Sequence, residues 1–195
     1  MNIDGLKNQI PDDEKRYART LRYAEEIDFI VQHPGRNDFI RRLATQAQGN
    51  TLVLFHLVKK HGEVLYDLIK NSTDRPVYYV SGKVDGDERE LIRQIVETES
   101  NAIIVASVGV FSTGINIVSL KNIIFASPSK SRIRVLQSIG RVLRRSEHKQ
   151  EATLFDIADD LRWKKKANYT YLHFANRLKI YAEESFPYKI HNVRL

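Results

Sequence analysis

Apolar residues recur with helical spacing along the first quarter of the chain. Tyr17, Leu21, Ala24, Ile27, Phe29 and Ile30 form one set and Phe39, Ile40 and Leu43 a second, with Pro34-Gly35 between them. Three-to-four spacing places such residues on one helix face, and Pro-Gly is a turn signal, so two amphipathic helices are predicted between residues 12 and 47. After Gly49-Asn50 the texture changes. Runs rich in β-branched and aromatic residues occur at 51–57 (TLVLFHL), 77–80 (VYYV), 102–107 (AIIVAS), 122–127 (NIIFAS) and 152–157 (ATLFDI). Each is nearly continuous in apolar character, as in strands buried on both faces of a parallel sheet. Helix-length polar stretches at 61–70, 86–98 and 132–143 separate them. This alternation predicts an α/β fold, a mostly parallel sheet flanked by helices and joined by right-handed crossovers. From Leu161 the pattern is helical again and basic, through Arg162, Lys164, Lys165, Lys166, Arg177 and Lys179, until Pro187. The predicted organisation is a helical lead-in over 1–48, an α/β lobe over 49–160 and a basic helical extension over 161–195.

Composition narrows the class. At 195 residues, 42% hydrophobic and 28% charged, the chain has the make-up of one ordinary folded domain with attached helices. The absence of cysteine excludes a disulfide framework, a thiolate zinc site and a cysteine nucleophile, and fits a reducing compartment. His33, His56, His61, His148, His173 and His191 show no metal-ligand spacing, so no metal site is expected. The N-terminus lacks the apolar core of a secretory signal, and the longest apolar stretch, 102–111, falls far short of the ~20 residues a membrane span needs. A soluble, cytoplasmic protein is expected. A formal charge of +7 suits either simple solubility or a polyanionic partner.

Candidate chemistry follows the strands, because ligands of open parallel sheets gather beyond the carboxyl ends, where helix N-termini and loop amides point. His56 and Lys59 follow the first run. Ser81, Gly82 and Lys83 follow the second, and Ser107, Thr113, Gly114 and Asn116 the third. Hydroxyls, cations and glycines there suit phosphate oxygens, although small residues after strands are also ordinary turn chemistry. The segment 137–145 (QSIGRVLRR) carries more information. Gln137, Gly140, Arg141 and Arg144 fall at i, i+3, i+4 and i+7 and share one helix face. Two guanidiniums held there, with a glycine permitting close approach, can grip a terminal phosphate bidentately. A solvated basic face is the plainer reading of the same spacing. In the run Arg162-Trp163-Lys164-Lys165-Lys166, Trp163 is available to stack on a base while the lysines hold phosphates. Such a run is also found as a helix face with one anchored aromatic.

In combination these segments resemble the superfamily 2 helicases. Q-x-x-G-R-x-x-R at 137–144 and ASVGVFSTGIN at 106–116 look like motifs VI and V of that superfamily. LVLFHLVKKHG at 52–62 is similar to motif IV, and YYVSGK at 78–83 resembles the segment that follows it. The resemblance spans roughly residues 50–159 and implies the second, RecA-like motor lobe. Its partner lobe would carry the P-loop and the acidic metal-binding motif, and neither is present here. It implies further that Arg141 and Arg144 are arginine fingers for the γ-phosphate of ATP bound with Mg between the lobes. Gln137 would stand at the same cleft, and Gly114 and Asn116 would border the nucleotide. Many relatives carry aspartate where Asn116 stands, although an amide can still hydrogen-bond a ribose hydroxyl. Ser107, Thr113, His56, Lys59, Ser81, Gly82 and Lys83 would contact the DNA backbone.

Over its whole length, lead-in and basic tail included, the chain is similar to phage recombination helicases. That similarity implies remodelling of branched intermediates: junctions, forks and R-loops. The chain alone is expected to lack ATPase activity. Two other readings stay open on the residues: a non-catalytic module that binds or anneals nucleic acid, and a lobe of a related RNA helicase.

Overall fold

The protein is described here by a computed structural model covering residues 2–18, 20–81, 90, 94–95, 97–111, 120–127, 152–164 and 166–195. Strands β1 (Asn2–Gln9), β2 (Thr51–Phe55), β3 (Val77–Val80), β4 (Ile103–Ser107), β5 (Asn122–Phe125), β6 (Thr153–Asp160) and β7 (Tyr188–Arg194) form a single sheet in the order β3-β4-β2-β5-β6-β1-β7. Every neighbouring pair is parallel. The five apolar runs of the sequence are therefore β2 to β6, and the α/β expectation holds.

Residues of β2, β4 and β5 are buried throughout, because helices cover both faces. The two-residue period of a strand divides them. Leu52, Leu54, Ile104, Ile123 and Phe125 pack on one side with Tyr181 of the long helix Tyr169–Glu183. Val53, Phe55, Val105 and Ile124 pack on the other with Ile40 and Ala44 of α3 (Pro34–Gln46) and Leu65 and Ile69 of α4 (Glu63–Lys70).

Three expectations need correction. The lead-in is not wholly helical, since residues 2–9 form β1, inserted between β6 and β7. It then carries three helices rather than two: α1 (Asp12–Ala18), α2 (Tyr23–Gln32) and α3. A turn closed by Thr20 N–H donating to Tyr17 O at 2.9 Å separates α1 from α2. Nor is the C-terminal segment uniformly helical. Trp163 and Lys166 pair their backbones across a tight turn, Lys164 takes the left-handed conformation (φ 53°), the helix starts only at Tyr169, and β7 follows it. Strands β1 and β7 hid from the hydrophobic pattern because they lie at the side of the sheet. β7 is the edge strand, paired only with β1, and its side chains are mostly exposed, so it needs no apolar pattern.

Buried charges fix this side. Asp156 and Asp159 are an odd number of residues apart on β6, so they face opposite layers. Asp156 accepts from Arg177 Nε and Nη2 at 2.8 and 2.9 Å and from Tyr181 Oη at 2.7 Å, all on the long helix. Asp159 accepts from Arg36 Nε of α3 at 2.7 Å, with both side chains fully buried. Glu26 of α2 accepts from the backbone N–H groups of Tyr169 (3.0 Å) and Thr170 (2.8 Å) and from Asn168 Nδ2 (3.1 Å). Its carboxylate thus caps the long helix from another element, where the orphan amides and helix dipole favour negative charge. On the opposite edge, Arg75 donates to the carbonyls of Ala44, Ala47, Gly49 and Asn101 at 2.6–3.1 Å. It closes the end of α3, and burial lowers its pKa.

Candidate nucleic-acid and nucleotide interface

Because all strands run parallel, their carboxyl ends lie along one edge, with neighbours about 4.8 Å apart. Ser81 follows β3, Ser107 ends β4, His56 follows β2, Ser127 follows β5, and the turn 163–166 follows β6. In sheet order these positions are consecutive. His56, Ser81 and Ser107 lie on this edge as their positions after strands implied, and Trp163, Lys164 and Lys166, read from the sequence as part of a helical extension, lie on it too.

The β2 loop is built with care. After Phe55 the chain winds through a π-helical turn, Val58–Gly62, into α4. A Cβ at Gly62 would run into the Phe55 ring, so glycine is required for the turn to sit against the strand. Ser127 Oγ accepts the His56 backbone N–H at 2.9 Å and shares a 3.0 Å hydrogen bond with Nδ1 of the buried His61. The β2 and β5 loops are thereby tied together. Lys60 Nζ reaches Asp28 Oδ2 of α2 at 2.6 Å. Lys59 is exposed and pairs with no carboxylate among the described residues.

Ser107 is 7% exposed, and its hydroxyl makes no hydrogen bond among the described residues. A buried hydroxyl in that state is uncommon, and functional edges are where such groups gather. The helical turn Val108–Phe111 continues directly from it.

Trp163 is half-buried. The Arg16 guanidinium of α1 lies 5.4 Å from its ring centroid, which pins the turn to the body. Arg162 points elsewhere, paired with both oxygens of Asp160 at 2.7 and 2.6 Å and stacked 4.2 Å from the Tyr171 centroid. Burial alone would raise the Asp160 carboxyl, but the Arg162 hydrogen bonds outweigh it and hold the group below the usual carboxylate range. Asp159-Asp160 is thus consumed structurally, by Arg36 and Arg162.

Gln137, Arg141, Arg144, Gly114, Asn116, Thr113, Gly82, Lys83 and Lys165 lie outside the described residues. Among the described residues no group of three or more His, Asp or Glu side chains is placed to hold a metal ion, and no helix is long and apolar enough to cross a membrane. Sequence reasoning missed His61 and Ser127 as a unit. Only the position of Ser127 beyond β5, beside β2, reveals the link to the motif IV-like loop.

Comparison with known proteins agrees with this architecture. The helicase conserved C-terminal domain family matches residues 35–146. The chain is 38% identical over its whole length to the ATP-dependent DNA helicase UvsW of enterobacteria phage T4, of which it covers 41%. The crystal structure of T4 UvsW superposes with a TM-score of 0.82 at 39% identity, over 99% of this chain and 41% of that one. The E. coli DEAD-box protein SrmB superposes with a TM-score of 0.60 at 13% identity, over 99% of this chain and 92% of that one, which is a likeness of fold. The chain therefore spans about two fifths of the T4 helicase, and it belongs to the helicase conserved C-terminal domain family, with the architecture of a superfamily 2 RecA-like C-terminal lobe.

Proposed function

We propose that this chain is the second motor lobe of an ATP-dependent DNA helicase or translocase and works against a P-loop lobe in cis or in trans. The observation that carries the reading is full-length similarity to an ATP-dependent DNA helicase, on a fold whose carboxyl edge collects hydroxyls, amides and cations. Groups of that kind grip sugar-phosphate without reading sequence. Ser107, Thr113, His56, Lys59, Ser81, Gly82 and Lys83 hold the tracked strand. Arg141 and Arg144 reach the terminal phosphate, Gln137 lines the same cleft, and Gly114 and Asn116 border base and ribose. A guanidinium pair is the donor set that a terminal phosphate calls for, being planar, permanently charged and bidentate. Bound between the lobes with Mg, ATP supplies the phosphoanhydride bond whose hydrolysis drives opening and closure. The lobe contributes arginines and strand contacts but no P-loop, so it is inactive as an ATPase alone. Its substrates are branched recombination and replication intermediates.

DNA-stimulated ATPase tests this, measured on the chain alone and joined to a P-loop lobe. Activity is expected only in the joined form, falling at least about 10³-fold in Arg141→Ala or Arg144→Ala. Near wild-type turnover in both variants would reject the arginine-finger roles. Matched DNA and RNA as activators distinguish the DNA motor from an RNA helicase lobe, and forked against linear DNA tests the branched preference. Inactivity of the joined form with DNA binding intact would point to a binding module.

A further inference from the structure

Beyond the carboxyl ends of β6 and β1 lies a depression of about 220 Å³, lined by Leu21, Leu161, Leu172 and Tyr169, by the buried Glu26 and Asn168 that are engaged with the start of the long helix, and by Lys166. Its apolar wall is open to solvent: Tyr169 is 48% and Leu172 50% exposed. The volume is below the ~300 Å³ at which drug-sized ligand sites begin, which suits a single ring system rather than a whole nucleotide cofactor. Tyr169 is set in place before anything binds. Glu26 holds its backbone N–H at 3.0 Å, and Tyr23 packs edge-on against its ring at 5.9 Å. A ring fixed in this way loses little conformational freedom on stacking.

The electrostatic surroundings specify the partner. Lys166 lines the depression, Lys164 stands on the same turn, and Lys15 and Arg16 lie on α1 just before the lining residue Ala18. The nearby carboxylates are already engaged: Asp160 with Arg162, Asp12 with Lys15, and Glu26 with the helix amides. Lys164 and Lys166 pair with no carboxylate among the described residues. An aromatic platform bordered by uncommitted cations complements a polyanion that carries flat bases. The location agrees. The depression shares the sheet edge with Ser107 and His56, and β1 is four strands along from β4, about 19 Å at the usual spacing.

We infer that this depression receives one unpaired base of a nucleic-acid strand, stacked on Tyr169, with the adjoining phosphates on Lys164 and Lys166. The inference rests on the nucleic-acid reading above, and it adds Tyr169, the more exposed ring, as a stacking platform beside Trp163, which already carries the Arg16 guanidinium. Holding one base outside the stack gives the lobe a grip on single strands that duplex DNA cannot satisfy.

The test uses the wild-type chain and a short single strand in which one 2-aminopurine is moved position by position. One placement should change fluorescence on binding. The change should disappear in Tyr169→Ala and persist in Tyr169→Phe. Single-strand Kd should rise about 5- to 150-fold in Tyr169→Ala, with duplex Kd unaltered. Leu172→Trp, which fills the depression while leaving Tyr169 in place, should weaken single-strand binding as well, and thermal melting verifies that both variants are folded. If the strand binds but no placement responds and both variants bind as wild type, the pocket is refuted and the motor-lobe reading stands. Unchanged strand binding in Tyr169→Ala together with weaker association with a P-loop lobe would make the depression a protein contact and also overturn the inference. A wild-type chain that binds no strand would overturn pocket and nucleic-acid reading together.

Discussion

The two halves of the sheet are held together by different physics. In β2, β4 and β5 every residue is buried, and polar side chains occur only at strand ends, at Thr51, Ser107 and Asn122. Cohesion there is hydrocarbon packing, which is nondirectional and tolerant of small changes in shape. In the β6-β1-β7 half, buried carboxylates do the joining: Asp156 to Arg177 and Tyr181, Asp159 to Arg36, and Glu26 to the start of the long helix. Charged latches demand one geometry and penalise any other. The strands that carry the expected motif loops therefore sit on a forgiving core, while α2, α3 and the long helix are fixed against β6 and one another by a few directional contacts.

Breaking a latch is expected to have the largest effect. Arg177→Ala removes the cationic partner of the buried Asp156 and should destabilise folding by about 3–5 kcal/mol, read by chemical denaturation. Replacing the whole triad with Asp156→Leu, Arg177→Met and Tyr181→Phe should return stability close to wild type, because no charge is then left buried. If the single variant proved as mild as the triple, the latch description would be wrong.

Glu26→Ala comes next, at about 2–3 kcal/mol, from donors that lose a charged acceptor. Hydrogen exchange should speed up at Tyr169 and Thr170 while the β2 and β4 amides keep their protection. Glu26→Gln should recover part of the loss, since its amide oxygen still accepts. On the hydrocarbon side, Ile124→Val should cost only about 0.5–1.5 kcal/mol and leave the long helix undisturbed.

The smallest effect concerns acid. Asp160 has its carboxyl lowered in the folded state, so its contribution is fully present above the unfolded value near pH 4 and is lost as pH falls through the lower folded value. Melting temperature followed from pH 6 to about pH 2 should fall less steeply in Asp160→Asn than in wild type. An identical slope would mean that Arg162 does not hold Asp160 in solution.

The same contrast explains what could be read in advance. Runs such as TLVLF and NIIF announce themselves because a strand buried on both faces must be apolar at nearly every position, a purely local requirement. β1, NIDGLKNQ, and β7, YKIHNVR, carry no such mark, because what makes them strands is pairing with each other and with β6. The basic run at 162–166 looked helical by periodicity. Yet the Asn168 side chain accepts from the Leu161 N–H at 3.0 Å and donates to the Asp159 carbonyl at 3.1 Å, which closes the segment into a loop.

For the site, sequence alone supplied the residue types and their order after successive strands, and with them the candidate phosphate and strand contacts. That information is local, since a hydroxyl, a lysine or a glycine following an apolar run means the same thing wherever the run lies in the sheet. Only the tertiary structure decided that Ser127 ties the His56 loop to β5, that Arg16 occupies the face of Trp163, and that Glu26 fixes Tyr169 from 143 residues away. Those contacts join distant parts of the chain through single side chains, and no periodicity along the sequence encodes which partner a buried charge will meet.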